Sequence, residues 1–210
     1  MAVLVAGVAR AAEEKPHPLE EEIQAFEAAD VKSPPPPHPI LFVGSSSIVM
    51  WDLPKSFPGL SVLNRGFGGS RIGDSVYFFD RIVLKYQPRT IVFYAGDNDL
   101  AEGYMTPEAV LADFQEFVSK VRAVLPKTPI VFIAIKPSID RWQLIDSIRK
   151  TNGLIKKFIE SVPLVTYIAL EPVMLGTNGK PRKELFLDDG LHLSTQGYKV
   201  WTTLVAPHLK

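Results

Sequence analysis

Apolar residues fall along this chain in two rhythms. Short runs rich in branched residues, at positions 40–43, 60–63, 89–94, 130–135 and 164–169, predict five strands. Between them, apolar positions recur at three- and four-residue steps. Leu19, Ile23 and Phe26 mark a helix over 18–29, and Ile72, Val76, Phe79 and Val83 mark one over 72–84 that Pro88 stops. Thr106 as N-cap with Pro107 at the first helical position opens a helix running to about residue 125. Further helices are expected over about 141–160 and from Ser194 onward. Strands alternating with long helices form βαβ units, so the expected fold class is α/β, a parallel sheet with helices on both faces. In such a sheet ligands bind at the carboxyl ends of the strands, which makes the turns after the strands the place to seek chemistry.

Composition narrows the reading. The 210 residues, 46% of them hydrophobic, suffice for one well-buried domain. A formal net charge of zero without a block of like charges argues against a nucleic-acid partner and for small-molecule, carbohydrate or lipid ligands. Cysteine is absent, excluding disulfides and Cys-based nucleophiles or metal sites. Five prolines within 33–39 make that segment an extended connector. The organisation expected is therefore 1–15 as leader, 16–39 as helix and connector, and 40–210 as the main domain. The leader has two readings. Its apolar stretch 2–9 followed by Ala9-Arg10-Ala11 fits a clipped signal peptide of a periplasmic or secreted protein, but without a basic start it equally fits a disordered or helical N-terminus of a cytoplasmic one. It is too short to span a membrane, and no other run approaches the length of a transmembrane segment. The pattern says nothing about oligomeric state.

Four polar clusters follow the strands or precede the last helix: Ser45-Ser46-Ser47, residues 66–70, Asp97-Asn98-Asp99, and Asp188-Asp189-Gly190-Leu191-His192. A serine after the first strand serves either as a helix N-cap or as a nucleophile, and the turn alone does not decide. Of the four histidines, His17 and His38 lie in proline-rich segments and His208 near the chain end, leaving His192 as the candidate base. Asp189, three residues earlier, has the spacing to hold the imidazole; Asp188 is the other possibility. The Asn98 amide and the Gly69 N–H are candidate oxyanion donors, though each also fits ordinary turn chemistry. Other motifs fail. Arg71 stands where a dinucleotide fingerprint needs its third glycine, Ala101 and Glu102 break a calcium loop, and Ile48 stands where a Gly-x-Ser-x-Gly elbow needs glycine.

Taken together, the four clusters resemble the blocks of the SGNH hydrolases, the GDSL-type esterases and lipases. Phe42-Val43-Gly44-Ser45-Ser46-Ser47-Ile48 looks like the first block with Ser46 as nucleophile, Asn64-Arg65-Gly66-Phe67-Gly68-Gly69-Ser70 like the second with Gly69, Gly96-Asp97-Asn98-Asp99 like the third with Asn98, and Asp189-Gly190-Leu191-His192 like the last. One departure stands out: Ser45 occupies the place of the usual Asp before the nucleophile, and it is expected to replace that carboxylate through hydrogen bonding. The resemblance implies a three-layer α/β/α, flavodoxin-like sandwich with five parallel strands, needing no cofactor or metal. It further implies that His192, oriented by Asp189, deprotonates Ser46; that the N–H groups of Ser46 and Gly69 and the Asn98 amide hold the oxyanion; and that activity falls on acidification as the imidazole protonates. Implied substrates are short-chain acyl, lysophospholipid or sugar O-acetyl esters. The rival reading is a non-catalytic carbohydrate- or acyl-binding module with a decayed site. Trp51, residues 136–138, Arg141 and Trp142 are candidates for the pocket edge.

Overall fold

The computed structural model describes residues 15–101 and 105–209. All of the expected leader but Lys15 lies outside the described residues. Five strands form one all-parallel sheet: β1 (Ile40–Gly44), β2 (Val62–Gly66), β3 (Thr90–Tyr94), β4 (Ile130–Ile133) and β5 (Val165–Ile168), in the order β2-β1-β3-β4-β5. Side chains alternate across the pleat, so the two faces build separate cores. Leu41, Val43, Ile91, Phe93, Ile130 and Phe132 face helices α1 (Glu20–Lys32), α4 (Ile72–Tyr77), α5 (Phe79–Ile82), α7 (Pro107–Val124) and α8 (Ile145–Ile159). Ile40, Phe42, Val92, Tyr94, Val131 and Ile133 face α2 (Ser46–Val49), α3 (Leu53–Ser56), α9 (Glu171–Met174) and α10 (Thr195–Val205). A one-turn helix, α6 (Asp97–Leu100), follows β3. This is the expected three-layer α/β/α sandwich. No helix among the described residues is long and apolar enough to cross a membrane.

Several elements differ from the sequence expectation. Strand β2 runs through Asn64, Arg65 and Gly66, which the pattern assigns to a turn. Polar residues are tolerated in this edge strand because each has partners. The Asn64 amide donates to the Ile48 carbonyl and accepts from Gly66 N–H at 2.7 and 2.8 Å, and the buried Arg65 guanidinium donates to Asp30, Tyr86 and the Asn64 carbonyl. The helix expected over 72–84 breaks at Phe78, which turns inward to pack edge-on against Phe67 and His17. Thr106 caps its helix as expected, and Ser194, where the last helix was expected to open, caps α10; they accept from the N–H groups of Ala109 and Gly197, each at 3.2 Å.

Candidate active site

The strand order reverses direction beside β1, since β2 lies on one side of it and β3 on the other. The carboxyl ends of β1 and β3 there open a crevice, and the polar turns 45–47 and 97–99 leave from those ends. Gly44 ends β1 with φ +142°, and a Cβ there would stand 1.7 Å from the Tyr94 carbonyl oxygen on β3. Only glycine lets the two strands close up at the point where the chain turns into α2.

The three serines of that turn have different environments. Ser45 occupies the N-cap position of α2, yet its hydroxyl caps nothing. It is buried without a hydrogen-bond partner, so the expected replacement of a carboxylate by Ser45 hydrogen bonding does not occur; only its backbone is engaged, the N–H donating to the Tyr94 carbonyl at 3.1 Å and the carbonyl accepting from the N–H groups of Ile48 and Val49 at 2.8 and 3.2 Å. The Ser47 hydroxyl is buried and receives a bond from Lys136 Nζ at 3.3 Å. Ser46, the one partly exposed serine of the three, directs Oγ to His192 Nε2 at 3.1 Å. As the first residue of α2 its N–H has no intrahelical acceptor.

His192 arrives on the loop between α9 and α10. Its Nδ1 meets Asp189 Oδ2 at 2.6 Å, while Asp189 Oδ1 accepts from the N–H groups of Leu191 and His192, both at 2.9 Å. A carboxylate only accepts, so Nδ1 carries the proton and Nε2 is left to accept from the Ser46 hydroxyl. The hydrogen bond from His192, aided by that of Leu191, lowers the Asp189 pKa to about 2. Asp188 makes none of these contacts. The loop is fastened in turn by Ile139 and Asp140, whose N–H groups donate to the Gly190 carbonyl at 2.9 and 3.1 Å.

The turns after β2 and β3 bring Gly69 and Asn98 to the same end of the sheet. Gly69 sits at φ +70° with nothing within 4 Å of where a Cβ would stand, so its loop borders open space. Asn98 Nδ2 donates to the Ser70 carbonyl at 3.0 Å and its Oδ1 accepts from Arg141 Nη2 at 3.1 Å. Beneath lies a charged cluster that sequence reasoning missed. Lys136 is 1% exposed and donates to Asp97 Oδ2 at 2.7 Å and to the Tyr94 hydroxyl at 3.0 Å, besides Ser47. Burial raises the Asp97 carboxyl, but the charges of Lys136 and Arg141 outweigh it and leave the pKa below its ordinary value. Burial and then the charge of Asp97 push the Tyr94 hydroxyl well up.

Of the expected pocket-edge residues, four, Trp51 and residues 136–138, are buried instead. Trp51 packs against Phe42, Phe57 and Trp201 and donates to Ser56 Oγ at 3.0 Å, while Lys136 and Ser138 lie inside. An apolar Trp and a lysine whose three protons all find buried acceptors gain more inside than at a rim. Arg141 and Trp142 are half-buried, with Lys180 Nζ 4.5 Å above the Trp142 ring. Sequence spacing also gave no sign that Glu22 of α1 accepts from Gly68 N–H at 2.8 Å, which ties the N-terminal helix to the glycine loop.

The fold and these turns define a hydrolase of ester bonds. Residues 45–200 match the family model of the GDSL-like Lipase/Acylhydrolase family, and the chain belongs to that family. Solved structures share the fold. A candidate platelet activating factor from Streptococcus pneumoniae is 21% identical with a TM-score of 0.81, over 91% of this chain and 93% of the other. A GDSL-like lipase from Bacteroides thetaiotaomicron is 17% identical at 0.74, over 89% and 96%. A catalytic mutant of an acetylxylan esterase from Geobacillus stearothermophilus is 12% identical at 0.66, over 82% and 94%. No curated protein sequence matches the chain.

Proposed function

We propose that this protein is a serine esterase acting through a Ser46–His192–Asp189 triad and an acyl-enzyme, on short-chain acyl, lysophospholipid or sugar O-acetyl esters. The observation that carries the reading is the unbroken line of contacts from Ser46 Oγ through both imidazole nitrogens to Asp189, at 3.1 and 2.6 Å. His192 takes the Ser46 proton as Oγ attacks the ester carbonyl, and the imidazolium that forms is stabilised by Asp189. The orphan N–H of Ser46, the N–H of Gly69 and the free hydrogen of the Asn98 amide are the donors for the oxyanion. His192 then returns the proton to the leaving alcohol, and water, deprotonated by the same nitrogen, releases the acid.

The test is turnover of p-nitrophenyl acetate by the parent chain beside Ser45→Ala, Ser46→Ala and Ser47→Ala. Only Ser46→Ala is expected to abolish turnover, and only its parent serine to be labelled by a fluorophosphonate. Equal activity in all four proteins would overturn the assignment. A panel of acyl lengths and acetylated sugars then separates the substrate classes.

A further inference from the structure

Asn98 carries two chemically different ends on one short side chain, and catalysis needs one of them, the NH₂, to face the substrate. An amide on an unsupported turn would populate both flips. Here two contacts select one. Nδ2 donates to the Ser70 carbonyl at 3.0 Å, and Oδ1 accepts from Arg141 Nη2 at 3.1 Å. A guanidinium has donors only and a peptide carbonyl is only an acceptor, so the opposite flip would set donor against donor and acceptor against acceptor. The NH₂ group keeps a second hydrogen beyond the one given to Ser70.

The guanidinium itself is held from below. Arg141 Nη1 lies 3.5 Å from Asp97 Oδ2, the oxygen that also accepts from Lys136 Nζ at 2.7 Å. The backbone N–H of Arg141 donates to Ser138 Oγ at 3.3 Å. Lys136 reaches the Ser47 hydroxyl as well, so one buried network touches the immediate neighbours of both Ser46 and Asn98. Two cations and one carboxylate leave this cluster net positive beneath the place where an oxyanion would grow. A charged donor on Oδ1 also draws electron density from the amide and makes its N–H a stronger donor.

We propose that Arg141, seated on the buried Asp97–Lys136 pair, is a positioning residue that locks the Asn98 amide in one flip and polarises its N–H toward the oxyanion. The proposal rests on the reading of Ser46 as nucleophile and Asn98 as oxyanion donor. It assigns Arg141 a part in the rate of the chemical step rather than in substrate binding.

The experiment compares kcat and KM on p-nitrophenyl acetate for the parent, Ser46→Ala, Asn98→Ala, Arg141→Ala, Arg141→Lys and the Arg141→Ala/Asn98→Ala double variant. Arg149→Ala, a surface arginine paired with Glu171, serves as control. Loss of an oxyanion donor costs about 10²–10³ in rate, so Asn98→Ala is expected in that range and Arg141→Ala at about tenfold or more, with KM within about twofold of the parent. Arg141→Lys, which keeps the charge without the planar fork, should recover part of the rate, as should millimolar guanidinium added to Arg141→Ala. The double variant should match Asn98→Ala, because once the amide is gone Arg141 has nothing to orient. An Arg141→Ala protein with parental kcat, or losses that multiply in the double variant, would overturn the proposal. A melting point lowered with kcat unchanged would do the same, marking Arg141 as structural only. Full activity in Asn98→Ala beside a dead Ser46→Ala would instead remove the oxyanion assignment on which the proposal stands.

Discussion

Asp189 shows how much of this site is fixed within one turn of chain. Its carboxylate accepts three hydrogen bonds from residues two and three positions ahead, and its pKa lies at about 2. That value is below the ordinary one, so the group is ionised from about pH 2 upward. Titration of Asp189 is therefore expected to leave no limb between pH 3 and 5 in kcat/KM on a soluble ester; a limb in that range that Asp189→Asn removes would contradict it. Asp189→Asn should lower kcat by about 10³–10⁴, since an amide NH₂ facing Nδ1 favours the wrong imidazole tautomer. The Asp-x-x-His spacing was legible because it is local. Ser45 was not: whether a buried hydroxyl finds a partner depends on what the fold places around it, and here it places none.

At the scale of elements, α1 is attached mainly by charge. Of its residues only Ile23 and Asp30 are buried. Asp30 accepts from Arg65, Lys85 and Tyr86, while Arg81 is bonded to both Glu20 and Glu27. Asp30→Asn leaves the buried Arg65 guanidinium without its carboxylate and should destabilise the protein by on the order of 3 kcal/mol, measured by denaturant unfolding. The exposed pair broken by Arg149→Ala should leave the midpoint unchanged. The long helices were readable from their spacing and caps because both signals lie within the helix itself. Strand β2 was displaced in the sequence reading because Asn64 and Arg65 look like turn residues until their partners on α1 and α2 are known.

For the whole molecule, the reversal of strand order beside β1 gathers turns that lie far apart in sequence at one end of the sheet. It also buries carboxylates there. Burial pushes Asp99 up to about 7, against the bond it accepts from Ile72 N–H at 3.0 Å. A carboxyl whose folded pKa exceeds its unfolded one binds its proton more tightly when native, so stability should decline as pH rises from about 4 through 7. Asp99→Asn keeps an acceptor for Ile72 and removes the titration. Its melting temperature should fall less than the parent's between pH 5 and 8, whereas parallel pH profiles would show that Asp99 is ionised throughout.

The sequence by itself determined the α/β class, a parallel sheet with helices on both faces, because periodicity, caps and turn residues act over a few positions. The assignment of Ser46, Gly69, Asn98, Asp189 and His192 to four blocks was legible only through their resemblance to a family's motifs, since each turn alone also fits ordinary turn chemistry. Tertiary structure alone decided that Ser45 and Ser47 are turned into the interior, that Lys136 lies under the site rather than at its edge, and that Arg141 meets Asn98 across 43 positions of chain. Such contacts depend on the register of β1, β3 and β4 and on which groups burial forces to pair, and neither is written in the spacing of residues along the chain.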